Sequence, residues 1–445
     1  MLGAALLSMP WRAHIDHVDA QLYVVIARHA AESGRWLDLS FLPGHWPQFR
    51  EHLPFGFWPA IAAMRALGEW AVPPMYALLT LSTAALIGWL GARLSGPWGG
   101  LAALLAFMLP EATWHYGGRL MLEPPLLLLS TAAAAPVLLG TPSRRGWLCA
   151  AGFGALAVLI KGPFGLVPLV SVVTARAITA RSIRILVRGA IACAAAAVPL
   201  ALFLWADASL GDGSWAEGYG RGQLLASATG ARRDGVTAFW FPLAVVAGRF
   251  WPGLPASAAG VWRSLRRDPA DAEARLLAWA SFIALAILCV PQRKWGNHAL
   301  VAFPLLSLLA GAGVGPWLAR ALTSATRARN VEVILGLAAA LAVVLSVFGV
   351  GARVQRPPCA FSTTFAPALA QLSAGTPIAI VSAEDETLAL AELAEERHLV
   401  PWPAAHLADA RPEAHLAFAR PDTLAPDAAP WHERARADGW VLLER

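Results

Sequence analysis

Ionisable side chains are sparse in this 445-residue chain, and they gather at a few places. Asp19, Arg28, Glu51 and His52 stand in the polar stretch 19–58, with Asp16 just before it. Glu111, His115, Arg119 and Glu123 share a second segment, and Lys161, Arg232, Arg233, Arg293, Lys294 and His298 sit at breaks between apolar runs. This mix of carboxylates and cations suits one chemistry in particular. A carboxylate takes the proton of an attacking hydroxyl or amine, while Arg or Lys stabilises a departing phosphate. Lys161 and Lys294 are the only lysines in an arginine-biased chain, which singles both out. Glu51, His52 and His115 also have the ligand types of a divalent metal site such as zinc. The competing reading of the two histidines is a hydrogen-bonded interfacial imidazole.

The elements that must position these groups are membrane helices. Hydrophobic residues make up 57% of the chain and charged ones 14%, with a mean hydropathy of +0.53. That composition defines a polytopic membrane protein. Apolar runs fall at 73–95, 98–112, 120–140, 147–160, 163–177, 187–206, 238–262, 275–291, 298–319 and 331–352. With the short apolar stub 1–10, read as a short first helix or as the mark of a start codon placed too late, they predict about eleven membrane helices by the length of a bilayer crossing. The two runs flanking Lys161-Gly162-Pro163 are short for a crossing, and a broken pair meeting at that point is expected.

The net charge of +6 does not imply nucleic acid, because the arginines cluster in alternate loops as the positive-inside rule requires. Arg93, Arg144, Arg145, Arg176, Arg181, Arg184, Arg188, Arg263, Arg266, Arg267, Arg320, Arg327 and Arg329 mark the cytoplasmic side. The candidate residues lie on the other side, the periplasm of a bacterial inner membrane. Most of the 20 tryptophans fall at the borders of the runs, as an aromatic belt does. Cys149, Cys193 and Cys289 lie inside apolar runs and Cys359 stands alone, so neither a disulfide framework nor a cysteine metal site is implied.

The stretch from Asp19 places Leu22, Tyr23, Ile26 and Ala30 at helical spacing and ends near Gly34. It predicts an amphipathic helix lying in the interface. A turn at Pro43, Gly44 and Pro47 and a second short helix over 54–67 follow. The domain organisation expected is a transmembrane domain over 1–352, with its first external loop at 12–72, and a small periplasmic α/β domain over 353–445. In the latter, residues from 376 onward read as a strand, an acidic turn and a helix.

Taken together, these segments resemble a known family. Asp19, Tyr23, Ile26, Ala27 and Arg28 reproduce a spacing found at the start of the first external loop of integral-membrane GT-C glycosyltransferases of the aminoarabinose-transferase and protein O-mannosyltransferase type. Glu51-His52-Leu53-Pro54-Phe55 with Trp58 is similar to the family's second element. The stretch ALAVLIKGPFGLVPL around Lys161 resembles its L-x-K-G-P signature, and RKWGNHALVAFPLLSLLAG from Arg293 its late external turn. The pieces follow the family's order over residues 15–320.

The resemblance implies an all-α GT-C fold and transfer of a sugar from a polyprenyl-phosphate donor to a lipid, glycan or protein acceptor, with no certain cofactor. By position, Asp19 is the catalytic or acceptor-orienting carboxylate and Glu123 the second acid. Lys161 lies near the donor phosphate, with Lys294, Arg293 and Arg28 as further phosphate contacts. Glu51, His52 and Arg119 complete the implied substrate-binding set. The family's usual Glu after the aspartate is Ala20 here, which leaves Asp16 or Glu51 to supply that carboxylate. A single displacement predicts inversion at the anomeric carbon. The alternatives are a transporter or flippase of lipid-linked sugars, against which the absence of internal repeats counts, and an inactive scaffold of the same family.

Overall fold

The apolar runs between residues 73 and 319 all fold around helices in the computed structural model. It describes residues 18–41, 48–232, 235–266, 268, 271–322, 365, 369, 376–381, 400–404, 416–419, 431–437 and 440–444. The stub 1–10, the run 331–352, the acidic turn and helix expected after 381, and Asp16, Arg233 and Cys359 lie outside the described residues. The chain divides into two compact units. One comprises Met1–Leu7, Arg50–Phe57 and Pro73–Ser346, and the other Ser8–Phe49, Trp58–Val72 and Val347–Arg445.

The first unit is a multi-pass helical membrane body. Its helix α3 (Val72–Met108) contains a reversal rather than a simple kink. Gly96 turns the chain at φ +78°, and Pro97 starts the return. The two arms then meet along small residues, because a side chain at Gly100 would begin 2.5 Å from the Gly88 carbonyl. Small residues let helix backbones approach where lipid offers no hydrophobic drive for association.

Helices α4 (Glu111–Gly117), α5 (Glu123–Leu138), α6 (Arg144–Lys161), α7 (Val167–Thr179) and α8 (Ile183–Leu210) follow. Helix α6 packs on both α5 and α8. The run 238–262, expected as one span, is two helices, α9 (Phe241–Arg249) and α10 (Leu254–Leu265). Trp251-Pro252-Gly253 separates them, since Pro removes a backbone donor and clashes with the preceding turn. Helices α11 (Ala272–Cys289) and α12 (Phe303–Leu322) complete the body, and α10 packs against both.

Among the described residues, five helical stretches are long and apolar enough to cross a bilayer: Glu69–Met108, Arg144–Thr179, Ile183–Leu210, Ala272–Cys289 and Gly296–Leu322. The number is smaller than the count of apolar runs because reversals and breaks place two runs in one stretch, as in Glu69–Met108 and Arg144–Thr179. Helix α8 turns Ile183, Ile191, Leu202 and Trp205 outward, a surface that suits lipid and not water.

The second unit holds α1 (Val18–Ser33), α2 (Trp58–Leu67) and a five-stranded sheet. Helix α1 starts with Asp19 in its first turn, where the helix dipole favours an acid, and is followed by Gly34 at φ +72°. Leu22, Tyr23, Ile26 and Ala30 are buried as their spacing predicts, but Ala20, Val24, Val25 and Ala27 are buried too. The apolar face is thus wider than that of a helix resting on an interface. Helix α2 packs on α1, and Trp58 Nε1 donates to the Trp36 carbonyl at 3.1 Å.

The sheet runs in the order β2-β1-β3-β5-β4, from β1 (Pro377–Val381), β2 (Val400–Ala404), β3 (Leu416–Ala419), β4 (His432–Ala437) and β5 (Trp440–Glu444). Strand β1 pairs in parallel with β2 and β3, while β5 is antiparallel to β3 and β4. All four residues of β3 are buried, as a central strand covered on both faces requires.

Candidate active site

Helix α6 ends where the chain carries its first lysine. Gly162 adopts φ +60°, which a side chain tolerates poorly, and Pro163 forbids continuation of the helix. The space a side chain would need at Gly162 is taken by the Tyr219 hydroxyl. Tyr219 belongs to a π-helical segment, Ala216–Leu225, whose start is held by Asp207 accepting from the Trp215 and Ala216 amides at 2.9 Å each. Burial pushes the Tyr219 phenol up from its ordinary value. The broken helix expected at Lys161-Gly162-Pro163 is therefore present, and a later segment is packed into the break.

Lys161, 8% exposed, donates from Nζ to Glu123 Oε1 at 2.5 Å, and Glu123 itself is 1% exposed. Glu123 is placed by the start of α5, with Pro124 and Pro125 behind it, so it also faces the positive end of the helix dipole. A buried ion pair is held together chiefly by the cost of leaving either member alone. The second oxygen, Glu123 Oε2, has no hydrogen-bond partner among the described residues. Glu123 also lines a small cavity with Thr80, Thr83, Thr113 and Tyr116, with room for about one water molecule.

Beyond the break, Phe164 carries the site toward the turn before α12. Its ring lies 4.1 Å from His298, His298 lies 5.4 Å from Trp295, and the Arg232 guanidinium stacks 4.5 Å over Trp295. Paired backbone bonds between Val236 and Lys294, at 2.9 and 3.0 Å, tie this turn to the segment bearing Arg232. Lys294 is buried, donates to the Thr237 carbonyl only at the long distance of 3.5 Å, and meets no carboxylate among the described residues. Arg293 donates to the Gly235 carbonyl at 3.4 Å.

His52 joins the same electrostatic neighbourhood. It is half-buried. Burial first, and then the charges of Lys161 and Arg232, depress it to about 3, so it is neutral at working pH. A neutral imidazole beside two cations is a hydrogen-bonding group added to an anion site without further charge.

The other expected residues have these positions. Asp19 and Arg28 lie on α1, in the second unit, where Arg28 makes a bidentate pair with Glu69 at 2.9 and 3.1 Å. Arg119 is buried between α4 and α5, and Glu51 is half-buried beside His52. His115 faces Glu111 at 3.7 Å. Glu51, His52 and His115 do not form a metal-binding group: no three His, Cys, Asp or Glu side chains suited to a metal come together among the described residues.

Tyr219 and Arg50 were not singled out by sequence. Arg50 donates to Ser214 Oγ at 2.9 Å and lies 4.5 Å over Trp215, next to the π-helical segment. Arg249 was hidden inside an apolar run, although the Trp-Pro-Gly stop two residues later was a legible sign that the helix ends there.

Broken and reversed membrane helices with ionisable groups at the breaks make up the first unit, and the C-terminal sheet belongs to the second. No family model matches the chain, and no curated protein matches it. Among solved structures, ArnT from Cupriavidus metallidurans in the apo state superposes with a TM-score of 0.70 at 18% identity, covering 95% of this chain and 92% of that one. The same protein bound to undecaprenyl phosphate gives 0.71 at 19% identity, covering 99% and 96%. The chain thus shares the fold of ArnT over nearly the full length of both.

Proposed function

We propose that the protein is a glycosyltransferase that moves a sugar from a polyprenyl-phosphate donor to a hydroxyl or amine on the periplasmic face of a bacterial inner membrane. The observation that carries this reading is the gathering of Lys161, Arg232 and Lys294 with a neutral His52 around one set of helix breaks. Cations held at helix breaks in a membrane protein suit an anionic headgroup whose tail lies along apolar spans. That a fold neighbour was solved bound to undecaprenyl phosphate supports the same ligand class.

In this reading Asp19 accepts the proton of the acceptor as its oxygen or nitrogen attacks the anomeric carbon. The bond from that carbon to the phosphate oxygen breaks, and the phosphate leaves onto the cations, which stabilise the charge as it develops. One displacement inverts the anomeric centre. Glu123 holds Lys161 in place, a positioning role for which the 2.5 Å pair is the support.

The test uses the full chain in membranes supplied with radiolabelled polyprenyl-phosphate sugars. Wild-type protein transfers label to an acceptor, and Asp19→Asn, still folded and inserted, loses about a hundred- to ten-thousandfold in rate, the range a general base typically supplies. Movement of label across vesicles without transfer would mark a flippase instead, and an active Asp19→Asn protein would remove Asp19 from the mechanism.

A further inference from the structure

Arg249 is a charged group that the proposed chemistry leaves unused. It ends α9, half-buried, just before the Trp251-Pro252-Gly253 break. Its Nη1 donates to Tyr116 Oη at 2.7 Å, its Cζ lies 5.7 Å from the centre of that ring, and its guanidinium rests 3.5 to 3.6 Å from the point where a side chain at Gly296 would begin. No carboxylate lies within 4.0 Å of it among the described residues, and the bond to Tyr116 is its only hydrogen bond there. A guanidinium has five N–H donors. One held at a membrane helix end without a counter-ion is costly unless something anionic visits it.

Its position relative to the site follows from a chain of contacts. Tyr116 and Glu123 line one small cavity, and Glu123 holds Lys161. Gly296 opens the turn that carries His298, whose ring meets Phe164, three residues after Lys161. Arg249 therefore closes a ring running Lys161, Glu123, Tyr116, Arg249, Gly296, His298 and Phe164.

We propose that Arg249 is a direct contact of the donor's phosphate, anchored at one corner by Tyr116 and offering its remaining N–H groups to the anion. This rests on reading the site as a polyprenyl-phosphate site. Tyr116 is a positioning residue that fixes the plane of the guanidinium.

The experiment measures binding of undecaprenyl phosphate and of undecaprenol, the neutral alcohol with the same tail, to the full chain in nanodiscs. Arg249→Gln weakens the phosphate by about 10- to 100-fold, the range of a charge-assisted hydrogen bond, and leaves the alcohol unchanged. Arg249→Lys recovers part of the loss, because it keeps the charge but not the fork. Tyr116→Phe gives a smaller loss with the phosphate alone. Wild-type affinity in Arg249→Gln, or an equal loss with both ligands, overturns the proposal and leaves a packing role. If the wild-type protein itself does not prefer the phosphate to the alcohol, the site reading fails and this inference falls with it.

Discussion

Glu123 and Lys161 come from different helices and meet as a pair almost wholly removed from solvent, at 1% and 8% exposure. Their mutual attraction offsets a large desolvation cost, so either partner alone is worse than none. Glu123→Gln is expected to destabilise the protein by about 3–5 kcal/mol because it strands the ammonium, and Lys161→Met by a similar amount because it strands the carboxylate. The double variant should lose far less than the sum. Thermal unfolding of the four proteins in one detergent measures the coupling, and additive losses would mean that the pair does not act as a unit.

The breaks between helices matter more here than the helices themselves. Gly162 ends α6 in a conformation that favours glycine, and the Tyr219 hydroxyl occupies the space beside it. Gly162→Ala combines backbone strain with overpacking and should cost about 2–4 kcal/mol. Because the closest obstructing atom is the hydroxyl, Tyr219→Phe in the same chain should return part of that loss. Chemical denaturation of the single and double variants tests this, and no recovery would place the strain in the backbone alone. The break at Trp251-Pro252-Gly253 likewise sets where Arg249 stands, and the reversal at Gly96 lets two apolar runs pack as neighbours within one stretch.

The molecule as a whole is a membrane body whose apolar exterior would be untenable in water. Ile191, nine residues into the 28-residue α8, is 64% exposed. On a water-facing helix, Ile191→Asp would be neutral or helpful. On a lipid-facing one it should cost up to the roughly 2.5–3.5 kcal/mol of a charge at a helix centre and reduce the fraction recovered in membranes. Fractionation of cells expressing the variant distinguishes the two. The same exterior explains why the polar groups concentrate where helices end or break: only there can a charge reach a partner, a cavity or the interface.

By itself the sequence determined that the chain crosses a membrane many times, where α1 begins and ends and that a helix breaks at Lys161-Gly162-Pro163, and the order of its motifs pointed to the fold that it shares with ArnT. These follow from local chemistry: the length of apolar runs, the turn residues that interrupt them and an ordered set of motifs. Only the tertiary structure decided that Lys161 belongs to Glu123, that Tyr219 fills the space at Gly162, that Arg28 is held by Glu69 and that Arg249 stands against Tyr116. Those partners are separated by 38, 57, 41 and 133 positions in the chain. Pairings at such distances depend on how helices pack, and hydropathy does not encode packing angles.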